Sequence, residues 1–122
     1  MRVIVHDPTQ EIGPRAEDVI AATGVGVLAV PTLHSLGAPL SVAGSDDVLV
    51  ARIRREDEAF ALAQIVRSAR FGGRTILIVD AAEQLGVETR AGLPRAESHR
   101  SSTAAVDTVL GRVARTLASA EC

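Results

Sequence analysis

The segment from Arg54 to Ala82 constrains the fold more than any other, because it has the pattern of a helix, a glycine break and a buried strand. Its apolar residues Leu62, Ile65, Val66 and Ala69 recur at the spacing of one helical face. Gly72-Gly73 ends the predicted helix, and residues 75–79 follow as a continuous apolar run. A strand that is apolar on both faces belongs inside a covered, mostly parallel sheet. The segment therefore predicts an α/β domain.

Similar alternation extends over the rest of the chain. Strands are predicted at residues 2–5, 26–30 and 48–54, the second of them buried, and helices at about 14–24 and 101–119. This order of elements predicts a single three-layer, flavodoxin-like α/β domain over residues 1–122. Its mostly parallel sheet has four strands, or five if a further strand lies at an edge.

Two segments are less regular. Residues 32–47 fit a short edge strand at residues 40–43, a loop that covers a ligand, or a helical turn at residues 32–36. After a possible helical turn at residues 83–85, residues 86–97 are rich in charge and contain Gly92 and Pro94, which predicts an exposed connection.

The composition excludes several classes of chemistry. All 13 basic residues are arginine, so no Schiff-base lysine and no P-loop lysine is available. A net charge of -2 gives no general attraction to nucleic acid. Cys122 is the single cysteine, so neither an internal disulfide nor a thiolate metal cluster is expected.

The chain also carries no pattern for membrane insertion or export. Met1-Arg2 leads directly into a strand, unlike a signal peptide. No apolar run approaches the roughly 20 residues that span a bilayer. A soluble cytoplasmic protein with no membrane contact is expected.

Ligands of open α/β sheets bind beyond the carboxyl ends of the strands. There the sequence offers Asp7, His34, Arg54 and Asp80 as candidate ligand-binding residues. Asp7 and Asp80 would suit a Mg²⁺ ion or a shared proton, but carboxylates at strand ends also cap helices and stabilise turns. Either His6 or His34 would suit acid–base chemistry near neutral pH, but a lone histidine is as compatible with a hydrogen-bonding role.

Other constellations are incomplete. Ser35, His34 and Asp80 supply the residue types of a hydrolase triad, but no G-x-S-x-G elbow is present. Residues 98–102 would suit a phosphate, or Ser101 or Ser102 would simply cap the last helix. Arg52, Arg54 and Arg55 resemble an exposed, solvated charge run more than an anion site. A nucleic-acid surface along Arg52–Arg55 is the least favoured function. The three histidines are in distant segments without metal-ligand spacing, so no metal site is predicted.

In length, alternation and final amphipathic helix, the chain resembles a response-regulator receiver domain. Receiver domains place an acidic pair after the first strand and a lysine after the last. Here the first strand ends in His6-Asp7, and lysine is absent. The resemblance therefore implies the fold only, and no family is assigned.

The functional expectation follows from these absences. With no assembled catalytic motif, the sequence favours a non-enzymatic interaction or assembly module that contacts itself, as a homo-oligomer, or a larger protein partner. The alternative is a sensor or enzyme that binds a phosphate-bearing or nucleotide-like molecule at the strand ends. The sequence names no cofactor.

Overall fold

The computed structural model describes residues 2–20 and 25–120, and the side chains of these residues except 103–105 and 116–120. Its strands are β1 Arg2–His6, β2 Gly26–Ala29, β3 Val48–Ile53, β4 Arg74–Val79 and β5 Ala96–Arg100. Its helices are α1 Ile12–Ile20, α2 Gly37–Ser41, α3 Glu56–Ala69, α4 Val87–Ala91 and α5 Thr103–Ala120, with 3-10 turns at Leu33–Ser35 and Ala82–Gln84.

The five strands form one parallel sheet in the order β2-β1-β3-β4-β5. Val3 of β1 pairs with Val27 on one side and Val48 on the other, so β1 lies inside the sheet. This strand order is that of flavodoxin-like domains. The predicted fold class is confirmed.

Each face of the sheet has its own core. Leu49, Ala51 and Ile53 of β3 share one core with residues of α2, α3 and α4. Val48 and Val50 point to the opposite core, which they share with α1 and α5. Alternation along one strand therefore separates the two helical layers.

The α3–β4 unit forms as predicted, but its glycines act differently. Helix α3 ends at Ala69, and Arg70 rather than a glycine adopts the left-handed conformation, with φ 56°. Gly73 is required by a close approach, since a Cβ there would clash with the Asp47 carbonyl oxygen. Gly73 thus lets the chain pass close to Asp47, just before β3, and neither glycine caps the helix.

Strand β2 corrects the prediction of a second buried strand. It is at the edge of the sheet, and Gly26, Leu28 and Ala29 are exposed. An apolar run does not distinguish an edge strand from a central one, because only the number of neighbouring strands differs.

Residues 32–47 contain no strand. A 3-10 turn at Leu33–Ser35 and the short helix α2 occupy the segment, so the helical-turn alternative is supported and the edge strand at residues 40–43 is wrong. Leu36 and Leu40 are both fully buried, four residues apart. That spacing suits a helical face rather than an alternating strand.

Residues 86–97 are not merely an exposed connection. They include helix α4 and the beginning of β5, which pairs with β4 as the fifth strand. The sequence Ala-Glu-Ser-His-Arg carries no apolar alternation, because β5 is an edge strand whose side chains are only half-buried.

The last helix confirms its predicted buried face at Val106, Val109, Leu110 and Val113. The side chain of Leu117 and the predicted helix end at Thr23-Gly24 lie outside the described residues, as does Cys122. Within the described part of the chain, no helix is both long enough and apolar enough to span a membrane.

Candidate functional site at the carboxyl ends of the strands

Asp7 directly follows β1 and is buried. Its Oδ1 accepts hydrogen bonds from the Thr9 backbone N–H at 2.9 Å and the Thr9 hydroxyl at 2.6 Å. Its Oδ2 accepts from the backbone N–H groups of Glu11 at 2.8 Å and Ile12 at 2.9 Å. The carboxylate therefore holds the β1–α1 turn and satisfies the first N–H groups of α1.

These contacts also set the ionisation of Asp7. Burial by itself raises the pKa of the carboxyl, but the hydrogen bonds from Thr9, Ile12 and Glu11 favour the ionised form. The net effect holds the pKa of Asp7 below its usual value. At neutral pH the group is a carboxylate, and each of its two oxygens already accepts two hydrogen bonds.

Arg52 connects the ends of three segments. Its Nε donates to Asp80 Oδ1 at 3.0 Å, and its Nη1 donates to Thr9 Oγ1 at 2.8 Å and Glu11 Oε2 at 2.9 Å. Only 17% of the side chain is exposed. Partial burial by itself lowers the pKa of Arg52. The hydrogen bonds to Glu11 and Asp80 and the charges of Asp80 and Asp7 outweigh this effect, so the pKa lies above its usual value. We call Arg52, Thr9, Glu11 and Asp80 the Arg52 network.

The four predicted site residues do not all meet. Asp80 belongs to the Arg52 network, and Asp7 is joined to it through their shared partner Thr9. Arg54 instead donates to Glu58 of α3 at 3.2 Å. His34 is exposed in the 3-10 turn after β2, and no contact among the described residues joins it to the network.

His6, the last residue of β1, is fully buried. Its Nδ1 donates to the Val30 carbonyl oxygen at 2.9 Å. The side chain thereby links the ends of β1 and β2, a contact that fits the hydrogen-bonding alternative.

A pocket of about 490 Å³ opens beside the Arg52 network. Its lining comprises Glu11, Ile12, Arg15, Arg52, Ser101, Ser102 and Val106. The Nη2 of Arg15 donates to both carboxylate oxygens of Asp107 in α5, at 2.8 Å each. Both arginines at this pocket already have acidic partners. No group of three or more His, Cys, Asp or Glu side chains in the described part of the chain is arranged to hold a metal ion.

The sequence interpretation misjudged the surroundings of Arg52. The prediction of a solvated charge run holds for Arg55, whose side chain is 74% exposed, and fails for Arg52. A signal was present, because Arg52 lies within the β3 run, two residues after the buried Val50. A cation on the inward face at a strand end needs acidic neighbours.

No protein-family model and no curated protein matches this chain. Solved structures do resemble it. A designed Rossmann 2x3 fold protein gives a TM-score of 0.72 at 12% identity, covering 94% of this chain and 90% of that one. The receiver domain of a Francisella response regulator gives 0.69 at 15% identity, covering 99% and 98%. A CheY-like protein, tadZ, from Pseudomonas aeruginosa gives 0.60 at 20%, covering 93% and 94%. At these identities the likeness establishes the fold alone.

Proposed function

We propose that this chain is a non-enzymatic α/β module that acts by contact with protein, either a second copy of itself or a larger partner. The observation that carries the proposal is the Arg52 network. It joins polar groups at the strand ends to one another, where this fold binds ligands. Groups already paired within the fold are poor candidates for catalysis.

Asp7 supports the same conclusion. A general base must be within hydrogen-bond reach of a substrate proton, and an acid must carry a proton at the working pH. The Asp7 carboxylate is buried and accepts from three backbone N–H groups and one hydroxyl. Its lowered pKa keeps it unprotonated near neutral pH. The residue is suited to stabilising the β1–α1 turn.

The residues in which this chain departs from the receiver-domain pattern support the same proposal. The acidic pair expected after the first strand is replaced by His6-Asp7, and His6 is buried against the Val30 carbonyl. No lysine is present in the sequence, and Ser101 is the residue that follows β5. These departures favour a receiver-like fold used for contact without phosphorylation chemistry.

Native mass spectrometry of the purified protein tests the proposal. We expect species at 12.7 kDa or its multiples, with no added mass. A second measurement adds Mg²⁺, inorganic phosphate and ATP separately and follows thermal unfolding. A ligand at 100 times its Kd stabilises a protein by about 2.7 kcal/mol, or roughly 10 °C at this size. No saturable shift is expected, and a retained nucleotide or metal, or such a shift, would refute the proposal.

A second candidate function is the binding of a phosphate-bearing ligand. One observation favours it: Arg15, Arg52, Ser101 and Ser102 line the same pocket of about 490 Å³. Binding there would make the strand ends a sensor site. A saturable shift with inorganic phosphate that Arg15→Ala abolishes would select this function over the interaction module.

A further inference from the structure

Two arginines line a groove at the amino ends of β4 and β5, at the opposite end of the sheet from the Arg52 network. The groove has a volume of about 390 Å³, and its lining comprises Arg74, Arg95, Ala96 and Glu97. Arg74 begins β4, and Arg95 directly precedes β5. Because two guanidinium groups and a single carboxylate line the groove, it carries an excess of positive charge.

Arg95 supplies this excess. Its Nη1 donates to the Gly72 carbonyl oxygen, which ties the start of β5 to the turn before β4. In the described part of the chain, no carboxylate forms an ion pair with Arg95. A guanidinium group has five N–H donors in a planar arrangement that matches a carboxylate. The exposed side chain of Arg95 can therefore bind an external anion.

Glu97 is shared among three partners. Its Oε1 accepts hydrogen bonds from Arg74 at 3.2 Å and from Arg112 of α5 at 3.4 Å, and its Oε2 lies 3.2 Å from His99 Nε2. Partial burial by itself raises the pKa of Glu97. The hydrogen bond from His99 and the charges of the three partners outweigh this effect, so the pKa lies below its usual value. We call Arg74, Arg95, Arg112, His99 and Glu97 the β5 cluster.

The β5 cluster has the reverse charge balance of the Arg52 network. In the Arg52 network, one guanidinium group contacts two carboxylates. In the β5 cluster, the guanidinium groups of Arg74 and Arg112 meet at the single carboxylate of Glu97, and Arg95 lies beside Arg74 in the groove. The charge of Arg52 is thus balanced within the fold, whereas the β5 cluster can accept further negative charge.

We propose that the β5 cluster binds an acidic segment of a partner protein, whose carboxylates contact Arg95 and Arg74. This inference rests on the proposed interaction function and adds the chemistry of the partner. Arginine and carboxylate form paired N–H···O hydrogen bonds, so a carboxylate is a matched ligand. A nucleic acid is a poorer match, because a polyanion longer than the cluster would be repelled by a chain with a net charge of -2.

His99 makes this surface respond to pH. Its Nε2 lies 3.2 Å from both Glu97 Oε2 and Arg112 Nη2. One ring nitrogen cannot accept a hydrogen bond from Arg112 and donate one to Glu97 at the same time. Histidine side chains gain a proton between about pH 8 and 5, and protonated His99 donates to Glu97. The added positive charge competes with Arg74 for Glu97, so acidification should strengthen the binding of the acidic segment.

Fluorescence anisotropy with a labelled octaglutamate peptide tests the surface in both directions. Arg95→Asn removes the cation that has no carboxylate partner, and asparagine tolerates the left-handed conformation of position 95. We expect the Kd of this variant to rise at least about threefold. Glu97→Gln removes the competing carboxylate, and its Kd should fall at least about twofold. Such a gain in affinity cannot result from misfolding.

Two controls make the same changes of charge at the carboxyl end of the sheet. Arg55→Asn replaces an arginine whose side chain is 74% exposed, and Glu83→Gln replaces an exposed glutamate. Because both positions are remote from the β5 cluster, each should leave the Kd within about 1.5-fold of the wild-type value. An octaglutamine peptide should not bind. Circular dichroism and the thermal midpoint verify that every variant folds.

The pH response separates the β5 cluster from a general attraction between charges. Between about pH 7.5 and 6, the wild type should gain at least about twofold in affinity for octaglutamate. The control His34→Gln, at an exposed histidine, should show the same gain. His99→Gln should show none, and an equal gain in the two histidine variants would contradict the role of His99.

Four results would overturn the surface. These are no saturable binding of octaglutamate, equal effects of Arg95→Asn and Arg55→Asn, tighter binding of single-stranded DNA or inorganic phosphate than of octaglutamate, and self-association that Arg95→Asn abolishes. The two proposals can fail separately. Absence of octaglutamate binding refutes the β5 surface alone, whereas a nucleotide or metal retained at the strand ends refutes the proposed function. A phosphate shift arising at the β5 cluster is abolished by Arg95→Asn, and one at the strand ends by Arg15→Ala.

Discussion

Replacing Asp7 with alanine removes the acceptor of four hydrogen bonds at the start of α1. Loss of a helix N-cap costs about 0.5–2 kcal/mol. A buried N–H group left without a partner costs about 1–3 kcal/mol more. The Ile12 N–H is buried, whereas those of Thr9 and Glu11 are partly accessible to water. We therefore expect Asp7→Ala to lower the free energy of unfolding by about 2–4 kcal/mol.

Urea unfolding followed by far-ultraviolet circular dichroism at pH 7 measures this loss. Asp7→Asn keeps one side-chain carbonyl acceptor and should lose roughly half as much stability. Asp18→Ala is the matched control, because Asp18 is an exposed aspartate on the same helix. It should change the free energy of unfolding by less than about 0.5 kcal/mol.

The pH dependence gives an independent test of the same carboxylate. Because the pKa of Asp7 is lowered in the folded protein, its stabilisation is present above the unfolded value of about 3.9. It is lost as the pH falls through the lower folded pKa. The stability gap between wild type and Asp7→Ala should be constant from about pH 7 to 5 and shrink below about pH 4. A loss below about 0.5 kcal/mol at pH 7, or a constant gap down to pH 2, would refute the capping role.

Two further predictions concern the Arg52 network and the close approach at Gly73. Arg52→Met should lower the free energy of unfolding by about 1–3 kcal/mol, as measured by urea unfolding. The control Arg55→Met, at an exposed position, should lower it by less than about 0.5 kcal/mol. Equal effects of the two substitutions would contradict the Arg52 network. Gly73→Ala should lower the free energy of unfolding by more than about 2 kcal/mol, because the added Cβ meets the Asp47 carbonyl oxygen. The control Gly26→Ala has open space around the added Cβ and should leave the thermal midpoint nearly unchanged. A mild Gly73→Ala variant would show that the close approach relaxes easily.

The sequence was sufficient for the fold where burial dominates. The apolar run of β4 and the helical spacing of α3 both reflect contact with a core, so periodicity identified them. Strand β5 was missed because an edge strand is held by backbone pairing with β4 and needs no apolar pattern. β5 is recognised by its pairing with β4, and no pattern within its own five residues indicates that pairing.

The residues of the candidate site also differ in how far their roles could be predicted from the sequence. The capping role of Asp7 was among the sequence-based alternatives because its partners lie within five residues. Arg52, by contrast, bonds Thr9, Glu11 and Asp80, which are 43, 41 and 28 residues away. Such partners meet only after the sheet has formed. A charged residue in a strand therefore signals the need for partners, but it does not identify them.

The two edges of the sheet differ in what they offer to an additional strand. β5 carries Glu97, His99 and Arg100, and a row of ionisable groups opposes the addition of a foreign strand. β2 presents Gly-Val-Leu-Ala without any charge, and Leu28 is 38% exposed. If the protein aggregates by strand addition, we therefore expect the addition to begin at β2. The substitution Ala29→Lys would place a positive charge on that edge, and charges on edge strands oppose the addition of further strands. It should raise the yield of folded protein after refolding at high concentration.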